Sequence, residues 1–347
     1  LHNKTPNDEF LAVQPSGQLE YHSPRTSFST GYTGIFRRYS RFSQLDDSEQ
    51  RAAFSLRERA TRRLTFLATD DFVQAATTDL LQLNGVPFER TGGRYNDFTG
   101  GLEARLSRTI DLSTRFESTW VNFDHTLSAP IIGGYVNGVV TELSRRLNDR
   151  VSIGGVDDIR VANLNAPSET TVILFQEVGA TFRYRVTDLT SVDASGGGAF
   201  LDDRTRHITR TGPFVKLDVM HRTSRATMGA AYRRSYIPAL VLGGTNESQE
   251  ATGYVQMPFA KNRWYVQEAV TWLHTDPFIS ADTSLSAETP LSSVWVQNLV
   301  GYGVTRWFRI EGYYQFAGQD NRQVQGKIKR HLAGVQVVVA QPVRIRQ

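Results

Sequence analysis

The 347-residue chain contains no cysteine. That excludes disulfides and thiolate metal ligands, and it fits an exported protein that avoids stray thiols. Long apolar runs are missing as well. No stretch of about 18 apolar residues exists, so no transmembrane helix is available. Charge of one sign is also lacking. With 39 basic and 35 acidic side chains the net is +4, which is not the footprint of a nucleic-acid binder. Methionine is scarce, at three residues, and mean hydropathy is −0.36. No signal peptide is visible at Leu1, which reads as a mature or trimmed chain. None of these absences touches a membrane β-barrel, whose strands hide apolar residues in alternation.

What is present is that alternation. In "LEARLSRTIDLSTRFESTWVNF" (102–123), Leu102, Ala104 and Leu106 alternate with Glu103, Arg105 and Ser107. After a break at Arg108 and Thr109, Ile110, Leu112, Phe116 and Trp120 alternate with Asp111, Arg115, Glu117 and Thr119. A period of two means strands with one apolar and one wet face. A soluble sandwich would have to bury one of them, and Glu and Arg are poor candidates for burial.

The pattern recurs along the whole chain. Short polar breaks, usually with an arginine, separate alternating runs: "SPRTS" (23–27), "RATRR" (59–63), "SRT" (107–109), "LNDR" (147–150), "RVTD" (185–188), "HRTSR" (221–225), "AKNR" (260–263) and "GVTRW" (303–307). They recur roughly every 40 residues, two strands per unit. The other connections are longer: 43–50, 70–93, 124–134, 162–171, 199–206, 237–247 and 275–290. Short turns alternating with long loops mark an outer-membrane barrel, turns on the periplasmic side and loops outside. A soluble propeller shares the period but needs four short strands per repeat. The fold expected is all-β, a transmembrane antiparallel up-and-down β-barrel of about 16–18 strands, with residues 1–347 as one domain. Seventeen strands can be counted, and the first and last both run downward. Single-chain bacterial barrels are even-numbered, so either an ascending strand before residue 1 or one more strand than counted is expected, eighteen in the intact protein.

Lipid around the barrel assigns the faces. Leu102, Ala104, Leu106, Ile110, Leu112, Phe116, Phe182, Tyr184, Val255, Met257, Phe259, Phe308, Ile310 and Tyr314 are expected to face lipid. The pore-lining candidates are Glu103, Arg105, Asp111, Arg115, Glu117, Glu177, Arg183, Arg185, Lys216, Asp218, Arg225, Arg233, Arg309 and Glu311. Arginine exceeds acid among them, which predicts a mild anion preference. Tyr32, Phe36, Tyr39, Trp120, Phe123, Tyr232, Tyr236, Trp264, Tyr265, Trp272, Trp307, Tyr313 and Tyr314 lie mostly near strand ends, as interfacial girdles do.

Catalytic signals are weak. The seven histidines form no His-x-x-x-His pair, and no G-x-S-x-G is present. Asp124–His125 and His274–Asp276 fall at strand tops, where the reading as loop-edge polarity competes with a hydrolase site. Asp157–Asp158 and Asp202–Asp203 read as solvated loops rather than calcium ligands. "GGRYNDFTGG" and "SGGGAF" have no following helix, so no phosphate cradle and no cofactor is expected. The 70–93 segment is too apolar for a plain exposed loop. A turn or two of helix over 72–83 and a constriction, cover or partner contact are its open readings.

The run "FLAVQPSGQLEYHSPRTSFSTGYTGIFRRY", with the later "LSRTIDLSTRFE" and "HRTSRATMGAAYRRSY" hairpins, resembles the β-barrel porins that include EpsL-type proteins of exopolysaccharide operons. The resemblance implies an outer-membrane barrel encoded with polysaccharide-export genes and carries no catalytic residues. Three functions are therefore weighed. The leading one is a channel for small polar solutes or an acidic exopolysaccharide. The others are a plugged barrel anchoring a partner complex, and an outer-membrane hydrolase. Expected partners are outer-membrane lipid and lipopolysaccharide, with a polysaccharide-export or other envelope partner and no nucleic acid.

Overall fold

The computed structural model describes residues 8–43, 46–81, 91–124, 133–165, 170–205, 207–238, 244–259, 263–280, 290–305, 307–321 and 326–339. The strands are β1 (Phe10–Val13), β2 (Ser16–His22), β3 (Thr26–Tyr39), β4 (Asp47–Glu58), β5 (Leu64–Ala75) and β6 (Gly93–Arg105). They continue with β7 (Ile110–Phe123), β8 (Gly133–Arg146), β9 (Val151–Asn165), β10 (Thr170–Arg185), β11 (Thr190–Asp203) and β12 (Ile208–Arg222). The last are β13 (Thr227–Pro238), β14 (Gly244–Phe259), β15 (Trp264–Ser280), β16 (Leu291–Gly303), β17 (Phe308–Asn321) and β18 (Gly326–Val339). One helical turn, α1 (Thr78–Leu81), follows β5.

From β2 onward each strand pairs antiparallel with the next, within a single sheet. β1 and β2 pair with successive parts of β3 in one continuous register, interrupted only around Pro15. Proline has no N–H for a ladder and is tolerated on an edge strand. β1 and β2 therefore form one crossing, and the described residues make the seventeen crossings counted from the sequence. This is the up-and-down architecture of a bacterial outer-membrane protein.

The short turns share one chemistry. At Ser23, Thr61, Ser107, Asn148, Thr187, Thr223 and Thr305 a side-chain oxygen accepts hydrogen bonds of 2.8 to 3.3 Å from backbone N–H groups two or three residues on. These Ser/Thr/Asn turns close a hairpin without glycine. Most of the 260–263 break lies outside the described residues.

At the other end the strands outlast the sequence expectation. β4 starts at Asp47, β5 runs to Ala75, β11 to Asp203 and β15 to Ser280. Polar residues there still pair across strands, as Arg37 does with Asp47 at 3.0 Å, so polarity does not end the ladder.

The two terminal strands run in the same direction, and no ladder joins β18 to β1 or β2 among the described residues. Exposure reflects that edge. Val335 and Val339 on β18 are 75% exposed, against 43% for Val300 within the wall.

Candidate functional site: the inner wall

Opposed residues share a face, so the ladders fix inside and outside. Arg105 stands opposite Asp111 and Gly101 opposite Arg115, while Ala104 stands opposite Leu112 and Gly100 opposite Phe116. The exposed face carries Phe66, Leu106, Phe116, Trp120, Phe182, Met257, Phe259 and Ile310. All the lipid-facing candidates in strands lie on it. Phe259, Trp264 and Tyr302 stack at the short-turn end as an interfacial cluster, with ring centroids 6.0 and 4.7 Å apart.

Most pore-lining candidates meet partners on the other face. Arg105 reaches Asp111 at 3.4 Å, and Arg146 joins them at 3.7 Å. Glu103 pairs with Arg57 at 2.9 Å. Arg183 bridges Glu142 at 2.7 Å and Asp193 at 3.3 Å. Lys216 sits 2.7 Å from Glu177 and 3.6 Å from Asp158, which also binds Arg160. Arg309 lies 3.6 Å from Glu311, which accepts hydrogen bonds from Tyr265 and Gln336. Arg115, Glu117, Arg185, Asp218 and Arg233 take inward register positions without an ion pair among the described residues. Arg225 is a correction. It sits in the turn between β12 and β13, with its N–H bound to Thr223 Oγ1, and lines no wall.

Charges of both signs were overlooked on the inner face, and together they leave no arginine excess: Arg37, Arg51, Arg57, Arg146 and Arg160 take inward positions. Asp47, Glu49, Asp97, Glu142, Asp158, Asp193 and Glu250 also take inward positions. Asp47 and Glu49 lie in the 43–50 stretch that reads as a connection, while the others fall within the alternating runs themselves. The inner wall is thus a paired, nearly balanced surface. Its net field gives no support to anion preference.

The inner face is also not polar throughout. Toward the long-loop end Val121, Phe123, Ala162, Leu164, Ile173, Phe175, Ala199, Leu201 and Phe214 form a buried cluster. Phe123 and Tyr236 therefore leave the girdle assignment for the interior, as does Tyr265, whose hydroxyl meets Glu311. The signal was there: "TVILF" (171–175) is apolar on both faces. Leu81 of α1 joins this cluster, so the start of the 70–93 segment folds inward. Thr77 Oγ1 accepts a 3.5 Å hydrogen bond from Arg330 on β18. The helical turn expected within 72–83 is confined to 78–81, because 70–75 continues β5.

Beside this cluster lies a cavity of about 490 Å³. Tyr95, Val136, Phe175, Tyr236, Ile237 and Pro238 supply its apolar walls, and Asp97, Glu117, Arg160, Arg233 and Glu250 its charges.

The outward face carries polar pairs that the lipid-face reading did not include, among them Asn96–Asp70 (2.9 Å), Ser118–Asn137 (2.7 Å), Gln176–Asp157 (3.0 Å), Arg234–Glu247 (2.7 Å) and His274–Ser292 (2.7 Å). Each satisfies a side chain across neighbouring strands, which lowers the cost of its position. Asp157 and Asp158 point to opposite faces, and among the described residues no cluster of three His, Asp or Glu could hold a metal ion.

His125 lies outside the described residues. His274 accepts or donates a 2.7 Å hydrogen bond with Ser292 and lies 3.3 Å from Asp276, an acid–imidazole–hydroxyl row. Ser292 is paired on both sides, to His274 and Asp320, within continuous ladders. Those ladders occupy the backbone N–H groups that an oxyanion would need.

No family model matches the chain, and no curated protein matches it. The likeness to EpsL-type porins therefore rests on the short motifs alone. Solved structures do align with it at low identity. The alcaligin outer-membrane receptor FauA of Bordetella pertussis aligns at 10% identity and TM-score 0.42, over 98% of this chain and 67% of that one. The FrpB iron transporter of Neisseria meningitidis gives 6% and 0.47, over 90% and 61%. The siderophore receptor PiuA of Acinetobacter baumannii gives 10% and 0.43, over 91% and 62%. The chain spans roughly three fifths to two thirds of the length of these structures.

Proposed function

We propose that this barrel is an outer-membrane channel that passes small polar solutes, or an acidic exopolysaccharide, through its charged lumen. The observation that carries this reading is the row of ionic groups on the inner face beneath an apolar outer face. A dry interior would not hold so many charges cheaply, whereas a water-filled bore does. The polysaccharide alternative adds the exposed arginines Arg59, Arg63, Arg185 and Arg222 at the short-turn mouth, which offer planar forks to carboxylates. Outer-membrane lipid and lipopolysaccharide surround the wall, and an envelope partner at either mouth completes the reading.

A second reading, a plugged barrel that anchors a partner, is favoured by the inward-folded Thr77–Leu81 segment and the buried apolar cluster it joins. We read neither form as an enzyme, because among the described residues the Ser292–His274–Asp276 row sits within continuous ladders. Liposome swelling separates the two main readings. The channel reading predicts swelling in arabinose that slows with larger sugars. The plugged reading predicts swelling only after Leu81→Asp loosens the inward segment.

A further inference from the structure

Gly31 and Ala53 stand opposite each other near the middle of β3 and β4, with Gln18 of β2 beside Gly31 and Asp71 of β5 beside Ala53. The four form one row across the inner face. A glycine and an alanine leave this part of the wall almost bare of side chains. Among the described residues a methyl group at Gly31 would meet only the Gly17 carbonyl oxygen, at 3.7 Å, so the space above it is open. The result is a hollow of about 550 Å³, within the size range of small-molecule sites. Its rim is built from hydroxyls. Thr33 stands toward the long-loop end, Ser29 and Ser55 toward the short-turn end, and Thr69 beside Ser55. Among the described residues none of these four hydroxyls shares a hydrogen bond with another residue. The charges around the hollow are mostly committed. Arg51 is held by Glu49, Glu20 accepts a 2.7 Å hydrogen bond from Gln18, and Arg57 pairs with Glu103. Asp71 has no ion pair or hydrogen bond among the described residues. It faces Asp97 on β6, which accepts a 2.7 Å hydrogen bond from Thr119.

We propose that the hollow over Gly31 and Ala53 is a subsite for an uncharged sugar in transit through the bore. The inference rests on the reading of the barrel as a channel for polar solutes and names one class of them. Serine and threonine hydroxyls both donate and accept hydrogen bonds, as do the hydroxyls of a sugar ring. The Asp71 carboxylate has two oxygens to accept from neighbouring sugar hydroxyls, and bonds to a charged acceptor are the stronger kind. The bare floor gives the ring a place to lie against the wall. A uronate would be repelled by Asp71 and Asp97, and Arg51 is already neutralised by Glu49. This stretch of the bore therefore favours a neutral sugar over an acidic glycan. The aromatic side chains of the same strands, Tyr32, Phe54 and Phe72, take outward positions. The sugar is thus held by hydrogen bonds, and weakly, as passage requires.

The test uses the whole chain in lipid nanodiscs, with empty discs as the blank and saturation-transfer NMR as the readout of binding. The probe is maltotriose, and trigalacturonate is its anionic counterpart. The proposal predicts saturable, millimolar binding of maltotriose and weaker binding of trigalacturonate. Putrescine, which offers ammonium groups but no hydroxyl, should not displace maltotriose at equal concentration. Gly31→Leu fills the hollow and should abolish binding. Ala53→Leu fills it from the next strand and stands in if Gly31→Leu does not assemble. Ala231→Leu, at an inward position of β13 outside the hollow, should leave binding unchanged. Asp71→Asn should weaken it about tenfold, through loss of the charged acceptor. Absence of saturable binding, binding kept in an assembled filled variant, or an unchanged affinity in Asp71→Asn would each overturn the proposal. So would trigalacturonate binding as tightly as maltotriose, or displacement by putrescine. Liposome swelling is read separately on the same protein. A barrel that binds the probe but does not swell loses the channel reading alone; one that swells but does not bind loses this proposal alone.

Discussion

Removing the Lys216 ammonium should expose how the charged wall is held together. Glu177 is 5% exposed, and among the described residues Lys216 is its ion-pair partner, at 2.7 Å. Asp158, the second acid near Lys216, keeps Arg160 when the lysine is lost. The cost of Lys216→Met therefore falls on Glu177. Stranding one partner of a buried pair costs about 3–5 kcal/mol. Because the Lys216 side chain is 30% exposed to the wet bore, solvent screens part of that, and about 2–3 kcal/mol is expected. Glu177→Gln removes the stranded charge. The double variant should therefore return to within about 1 kcal/mol of the parent, since replacing both members of a buried pair is often neutral. Urea unfolding of the four proteins in lipid vesicles, followed by tryptophan fluorescence, gives the coupling energy. A coupling below about 0.5 kcal/mol would refute the claim that this pair is desolvated.

Three further outcomes follow from the same wall. Phe116→Arg should cost about 2–4 kcal/mol and hinder assembly, while Arg115→Leu on the opposite face is tolerated; heat-modifiable mobility on gels checks the order, and the reverse order would exchange inside and outside. Cysteine placed at Thr109 should resist a membrane-impermeant maleimide on intact cells, whereas cysteine at Asn84, in the long connection outside the described residues, should react; equal labelling overturns the orientation. We also propose that one ascending strand fills the edge between β18 and β1/β2. Hydrogen exchange on the mature protein should then protect the amides of both edges as well as those of β8, and rapid exchange at either edge contradicts it.

Much of this wall was legible because its code is local. Seventeen crossings, the short turns and the facing of Glu103, Arg105, Asp111, Phe116, Phe182 and Arg183 follow from a two-residue period that no distant contact needs to correct. The turns were readable for the same reason, since a Ser, Thr or Asn oxygen caps its own neighbours. Legibility failed where a residue's role depends on strands far away in sequence. Leu164, Ile173 and Leu201 were hidden because an apolar residue on the inner face looks like one on the outer face once both are apolar. The inward fold of Leu81 depends on Gly93 and Phe123 of the neighbouring strands β6 and β7, over which it packs. The departure of Tyr236 from alternation depends on Gly212 and Pro213, whose effect appears only when the two strands are placed side by side. Arg225 was misplaced by a boundary of a few residues, where strand and turn share the same polar composition.

The central claim is that the charged face encloses a conducting, water-filled bore. Single-channel recording of the purified protein in planar bilayers tests it most directly. The account predicts discrete ohmic steps with weak ion selectivity, set by a balanced wall, and a reversal potential that shifts toward cations on Arg183→Glu with Arg185→Glu. A protein that assembles in the bilayer but carries no current, both as purified and after Leu81→Asp, would contradict it.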